Sequence, residues 1–172
     1  LSISYSISIF KRLLRHLWAE HILTVDFTPY SLIESILSTA NDIVAGGEKV
    51  FFTNNLWTIF SDLKSGQPLN PQFIEELGDR YLDTIELHRG GALNFIDKMP
   101  ANFLFYKFIK LALPGSKFIH TYRNPWDNAI SLFKANYQDT IIYASSFFAI
   151  ATEYSNYSYL MKFWKKISKD PF

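Results

Sequence analysis

Cysteine is absent from the 172 residues, which removes disulfides, thiolate zinc sites and cysteine nucleophiles. Histidine is scarce: of His16, His21, His88 and His120 only the first two are near one another, and no further histidine or cysteine stands beside them. No metal is expected. A net charge of +1 supplies no global basic field, so bulk electrostatics alone make no case for nucleic acid or an anionic membrane as partner. Any anion site must be local. Long apolar runs are missing too: Thr140 to Thr152 is the longest uncharged stretch, short of the about 20 apolar residues that a membrane span needs. A soluble chain is expected, with the cytoplasm as its compartment. The opening LSISYSISIF has no initiating Met, basic start or small-residue cleavage site, so it does not read as a signal peptide and suggests a start inside a longer chain.

What is present is apolar and aromatic. A content of 48% hydrophobic and 17% aromatic residues belongs to a chain that folds around a core, and the length fits one domain. Leu1, Ile3, Tyr5, Ile7 and Ile9 alternate with serines, predicting a short strand; residues 10 to 20 have helical spacing, and HILTVDF predicts a strand at 21 to 27. SLIESILSTA predicts an amphipathic helix, followed by the loop AGGEK and an ambiguous helical stretch over 49 to 63. Asn70-Pro71 opens a helix that runs to His88, with Gly90-Gly91 closing it. NFIDK predicts a strand, ANFLFYKFIKLAL a helix stopped by Pro114-Gly115, KFIHTYR a strand ending on Arg123, PWDNAISLFKANY a helix, and 146 to 169 a last long helix. Strands alternating with helices predict an α/β fold with a mainly parallel sheet and a ligand crevice at the carboxyl ends of its strands.

Three short stretches have residues suited to chemistry. In TYRNPWDNAIS, Asn124 is a good cap, Pro125 suits the first helical position and Asp127 favours the positive end of the helix dipole. Free N–H groups and the Arg123 guanidinium would then share one space, which suits a phosphate. Ser131 lies two turns in, about 12 Å along the axis, and is harder to bring to the same anion. On spacing alone, an Arg123 paired with a structural carboxylate fits better. In DKMPAN, Lys98 at a strand end can hold a negative oxygen as a point charge, though on this stretch alone a solvated surface lysine fits better. In AGGEK, two glycines let backbone pass close to a ligand and Glu48 is a possible general base; on the motif alone a plain Gly-Gly turn fits better.

The order of these pieces changes their weight. SLIESILSTANDIVAGGE (31 to 48), FIDKMPANFLF, LALPGSKFIHTYRNPWDNAISLF and the weaker tail YSNYSYLMKFW together resemble the sulfotransferase family, in particular bacterial members related to protein-tyrosine sulfotransferases. The resemblance covers about 31 to 164 of a single domain. It implies a three-layer P-loop-NTPase-like fold and transfer of a sulfuryl group from 3′-phosphoadenosine 5′-phosphosulfate to a hydroxyl or amine acceptor. It also implies roles: Arg123 and Ser131 on the donor's 3′-phosphate, Lys98 near the transferred group, Glu48 as base. The family's 5′-phosphosulfate loop, G-x-P-R-S-G-[ST]-[ST], is expected just before LIESIL, where this chain has TVDFTPYS. Glycines and arginine are missing there and Pro29 lacks an N–H, while Thr28 and Ser31 keep hydroxyls nearby. Residues 1 to 30 match poorly and a later V-x-Y-E-D-L-like strand is absent before Phe172, so the chain is read as a fragment with impaired transfer. Two other readings compete. One is a non-catalytic remnant or interaction module that keeps the fold core. The other is nucleic-acid binding through Tyr154, Tyr157, Tyr159, Lys162, Lys165 and Lys166, which at helical spacing fit a core stripe beside a solvated face better.

Overall fold

The computed structural model describes residues 21–25, 30–135 and 141–168. They gather in two compact units, one containing 21–25 and 30–119 and the other 120–135 and 141–168. The predicted elements over 1–20 lie outside the described residues.

The first unit is built on a small parallel sheet. Its strands are β1 (His21–Val25), β2 (Ile43–Ala45), β3 (Asn94–Asp97) and β4 (Lys117–His120), ordered β2-β3-β1-β4. β1 and β2 both run parallel to β3, with Ile22 opposite Ile96 and Val44 opposite Phe95. Phe95, Ile96 and Asp97 are all fully buried although successive side chains point to opposite faces. Both faces of β3 are therefore covered, as a central parallel strand requires.

The intervening helices are α1 (Tyr30–Leu37), α2 (Phe51–Lys64), α3 (Pro71–Arg89) and α4 (Tyr106–Ala112). Asn70 accepts from the Gln72 and Phe73 N–H groups and Gly90 closes α3 in the left-handed conformation at φ 58°, as the sequence predicts. Phe52, Leu56, Leu77, Tyr81, Ile85 and Ile109 of these helices, with Phe105 just before α4, are fully buried and form the centre of the core. Edge-to-face contacts of Phe60 with Phe108 at 5.5 Å and of Trp57 with Phe105 at 5.4 Å extend it. A Cβ at Gly78 would run into the Ala112 carbonyl, so α3 needs glycine where the end of α4 passes.

Three expectations are corrected. The helix foreseen over ANFLFYKFIKLAL begins as a 3₁₀ turn, Pro100–Phe105, before α4 takes over. β2 is an added strand, its three residues too few to show a period. The strand foreseen over KFIHTYR ends at His120, so Thr121 to Arg123 leave the ladder before the next helix starts.

In the second unit, α5 (Pro125–Ala135) and α6 (Phe147–Ile167) flank a 3₁₀ turn at Ile142–Ser145. Ser146 caps α6 by accepting the Ala149 N–H at 3.1 Å. Phe133 of α5 stacks on Phe147 with ring centroids 4.6 Å apart. The expected apolar side of α6 is largely real: Tyr157, Met161 and Trp164 are buried, Tyr154 and Leu160 half-buried. That burial is what the core-stripe reading of this helix requires at Tyr157, whereas Tyr159 is exposed together with Lys162, Lys165 and Lys166. No helix among the described residues is long and apolar enough to cross a membrane.

Candidate active site

Because β2 and β3 are parallel neighbours, their carboxyl ends deliver Gly46–Lys49 and Lys98–Met99 to one edge of the sheet. Gly46 is confined there: its N–H donates to the Ile96 carbonyl at 2.9 Å, and a Cβ would collide with the Phe95 ring and that same carbonyl. Gly47 turns the chain at φ 66°, a conformation glycine adopts without penalty. The Gly47 carbonyl accepts the Lys98 N–H at 2.8 Å, which stitches the two segments together.

Lys98 stands between two carboxylates. Its Nζ is 3.7 Å from Glu34 Oε2 and 3.8 Å from Glu48 Oε1. At those separations the contacts are charge pairs rather than hydrogen bonds, so the ammonium keeps donors for an incoming oxygen. Glu34 is held from α1 by accepting the Gly47 N–H at 2.8 Å and has only 13% of its side chain exposed, against 52% for Glu48. The first carboxylate is a partly buried counter-charge; the second faces solvent, where an acceptor could reach it.

Beneath this pair lies Asp97. Its Oδ1 accepts the Lys49 N–H at 3.3 Å and the Met99 N–H at 3.0 Å, and its Oδ2 accepts the Tyr81 hydroxyl at 3.0 Å. Burial pushes the carboxyl up from 3.8 to about 6; the hydrogen bonds from Met99, Tyr81 and Lys49 oppose that rise. Asn102, also fully buried, lies close enough to oppose it too, though its amide atoms complete no hydrogen bond of normal geometry. The Tyr81 hydroxyl is held well above 10.0, first by burial and then by the Asp97 charge.

The second unit presents the other candidates. Asn124 caps α5 as foreseen, its side chain accepting the Trp126 N–H at 2.9 Å, with Pro125 and Asp127 in the first turn. Arg123 immediately before it is exposed, and among the described residues no carboxylate pairs with its guanidinium. Ser131 is exposed further along α5. His120, at the end of β4, bonds to the Tyr157 hydroxyl and is shifted toward its neutral form by burial and then by the Lys165 charge.

The structure thus brings Glu48 and Lys98 together and places Arg123 at a capped helix start. Ser31 lies in the first turn of α1; Thr28 lies outside the described residues. Glu34, Asp97 and Tyr81 were not foreseen as site residues. Asp97 had a usable signal, since period-two alternation puts it on the face of β3 shared with Phe95. Among the described residues no cluster of His, Cys, Asp and Glu could hold a metal ion.

A parallel α/β sheet whose carboxyl edge sets a lysine with free donors beside an open carboxylate is an arrangement for group transfer through an anionic centre. Residues 31–172 match the model of the sulfotransferase family, and the chain belongs to that family. A search of curated proteins returns no significant match.

Proposed function

We propose that this chain carries a sulfuryl-transfer site for 3′-phosphoadenosine 5′-phosphosulfate, with Glu48 as general base and Lys98 as the cation at the transferred group. The observation that carries it is the 3.8 Å approach of Glu48 and Lys98 at the carboxyl edge of β2 and β3. In the transfer, an acceptor hydroxyl oxygen bonds to sulfur while its proton passes to the Glu48 carboxylate. The bond from sulfur to the bridging oxygen breaks, and that oxygen leaves with its electron pair on the nucleotide phosphate, next to the Lys98 ammonium. Sulfuryl transfer asks for little more than alignment, a proton acceptor and fixed positive charge. A primary or secondary amine acceptor follows the same course.

Arg123 and Ser131 are assigned to the 3′-phosphate, as their match to the family's pair implies. The exposed guanidinium, which pairs with no carboxylate among the described residues, supports Arg123; Ser131 rests on the match alone. Strand order β2-β3-β1-β4 supports the P-loop-like three-layer reading, because β1 leads out to β2 at one edge and the chain then returns through β3 and past β1 to β4 at the other. The 5′-phosphosulfate would then meet TVDFTPYS, with Thr28 and Ser31, where glycines are lacking. This loop supports impaired turnover and keeps the non-catalytic remnant as the second reading.

Calorimetry with adenosine 3′,5′-bisphosphate tests the assignment. Weak binding by the folded chain is expected, with little or no sulfation of hydroxyl or amine acceptors. A folded chain that binds no nucleotide overturns the donor site and favours the remnant; ready sulfation overturns the impairment.

A further inference from the structure

We infer that Asp97 is a positioning residue that holds Glu48 and Lys98 in register, one carboxylate oxygen clamping the backbone immediately after each of them. The inference deepens the proposed sulfuryl-transfer site and rests on that reading for the importance of the pair. Oδ1 receives the N–H of Lys49, one residue past Glu48, and the N–H of Met99, one residue past Lys98. Two segments 50 positions apart in the chain therefore share one acceptor atom. A carboxylate is the side chain suited to this, since an ionised acceptor makes hydrogen bonds about twice as strong as a neutral one.

The second oxygen is fixed from the other side by Tyr81 of α3. Tyr81 is itself immobilised between aromatic rings, 4.6 Å from Phe52 and 5.4 Å from Phe51. The clamp is thus anchored in the core rather than in the loops it holds. Charges nearby are turned elsewhere: the Lys49 ammonium lies over the Phe95 ring at 5.8 Å, and Lys98 faces Glu34 and Glu48. The groups acting on Asp97 are the Tyr81 hydroxyl from α3, Asn102 from the 3₁₀ turn and the two backbone N–H groups. Its protonation as pH falls through about 6 removes the negative charge from the shared acceptor and weakens both backbone bonds.

The test reads the clamp without needing turnover. In the full chain, the amide proton resonances of Lys49 and Met99 are followed by NMR from neutral to acid pH. Both are expected to move together with one midpoint near that of Asp97; independent or absent inflections overturn the inference. In parallel, brief amine labelling compares Lys98 with the exposed Lys107. Asp97→Ala is expected to label Lys98 several-fold faster relative to Lys107. Asp97→Asn, which keeps an oxygen for both N–H groups, is expected to restore most of the wild-type ratio. An unchanged ratio in a folded Asp97→Ala chain, or no rescue by Asp97→Asn, overturns the clamp. If Asp97→Ala does not fold, the wild-type titration decides alone. Failure of the chain to bind adenosine 3′,5′-bisphosphate with these shifts intact overturns the proposed function and leaves the clamp.

Discussion

The edge that carries Glu48 and Lys98 and the turn that carries Arg123 solve opposite problems. At the first, nearly every backbone group around the two side chains is tied down: Gly46 to Ile96, Gly47 to Glu34, Lys98 to Gly47, Lys49 and Met99 to Asp97. At the second, one cap bond from Asn124 and the helix it starts hold an exposed arginine in place. A pair that must meet a reacting centre within tenths of an ångström needs rigid support, whereas a cation on a terminal phosphate can close onto its ligand. Disturbing the first region should therefore cost stability, and disturbing the second should cost binding with stability kept.

The largest effect is expected at Gly46. Gly46→Ala drives a methyl group into the Phe95 ring and the Ile96 carbonyl, and overpacking of this kind costs about 3 kcal/mol. Gly47→Ala meets open space and is strained only by its positive φ, costing about 1 kcal/mol. Denaturant unfolding of the two variants checks the order; equal costs would mean that β2 and β3 approach less closely at Gly46 than the structure shows.

Next comes pH. The folded Asp97 carboxyl binds its proton more tightly than the unfolded one, with a value raised from 3.8 to about 6. Below about pH 4 both states are protonated; between about pH 4 and pH 6 the folded state holds more proton, so this group's stabilising effect is lost as pH rises. The change is on the order of 3 kcal/mol across that window, and flat above it. Unfolding at a series of pH values, wild type against Asp97→Asn, isolates this slope from that of the other carboxylates. A wild-type slope equal to that of Asp97→Asn would show that Asp97 is less buried than the clamp requires.

These expectations also show which parts of the molecule could be read in advance. Capped helices were legible because Asn70 and Asn124 declare helix starts through local hydrogen bonds, and Gly90 declares an end. β2 was not, since three residues cannot display a period. β4 was drawn too long because Tyr122 and Thr121 favour extended backbone, while a strand also needs a neighbour to pair with. Glu48 and Lys98 were named from a family pattern, but Glu34 and Tyr81 were missed for a physical reason. Their roles depend on which loop or carboxylate a helix residue happens to face, and only tertiary packing decides that.

The Arg123 turn should give the reverse signature. Arg123→Ala removes an exposed side chain, so stability is expected to stay within about 0.5 kcal/mol of wild type. Loss of a charge-assisted phosphate contact is worth about 2 kcal/mol, which weakens adenosine 3′,5′-bisphosphate by roughly thirtyfold and takes a weak complex out of calorimetric range. Lost stability with binding unchanged would reverse the assignment and make Arg123 structural.

The smallest effect separates the arginine from the helix it precedes. Asn124→Ala removes the acceptor for the Trp126 N–H and should cost about 1 kcal/mol of stability, the usual value for an exposed cap. If the first turn of α5 contributes N–H groups to the same anion, the loosened turn also weakens nucleotide binding by a few-fold, because the donors are no longer fixed in advance. If the guanidinium acts alone, binding is unchanged while the melting temperature falls. Calorimetry and thermal unfolding on this one variant therefore decide whether the second region is a helix-start anion site or a lone cation standing beside a helix.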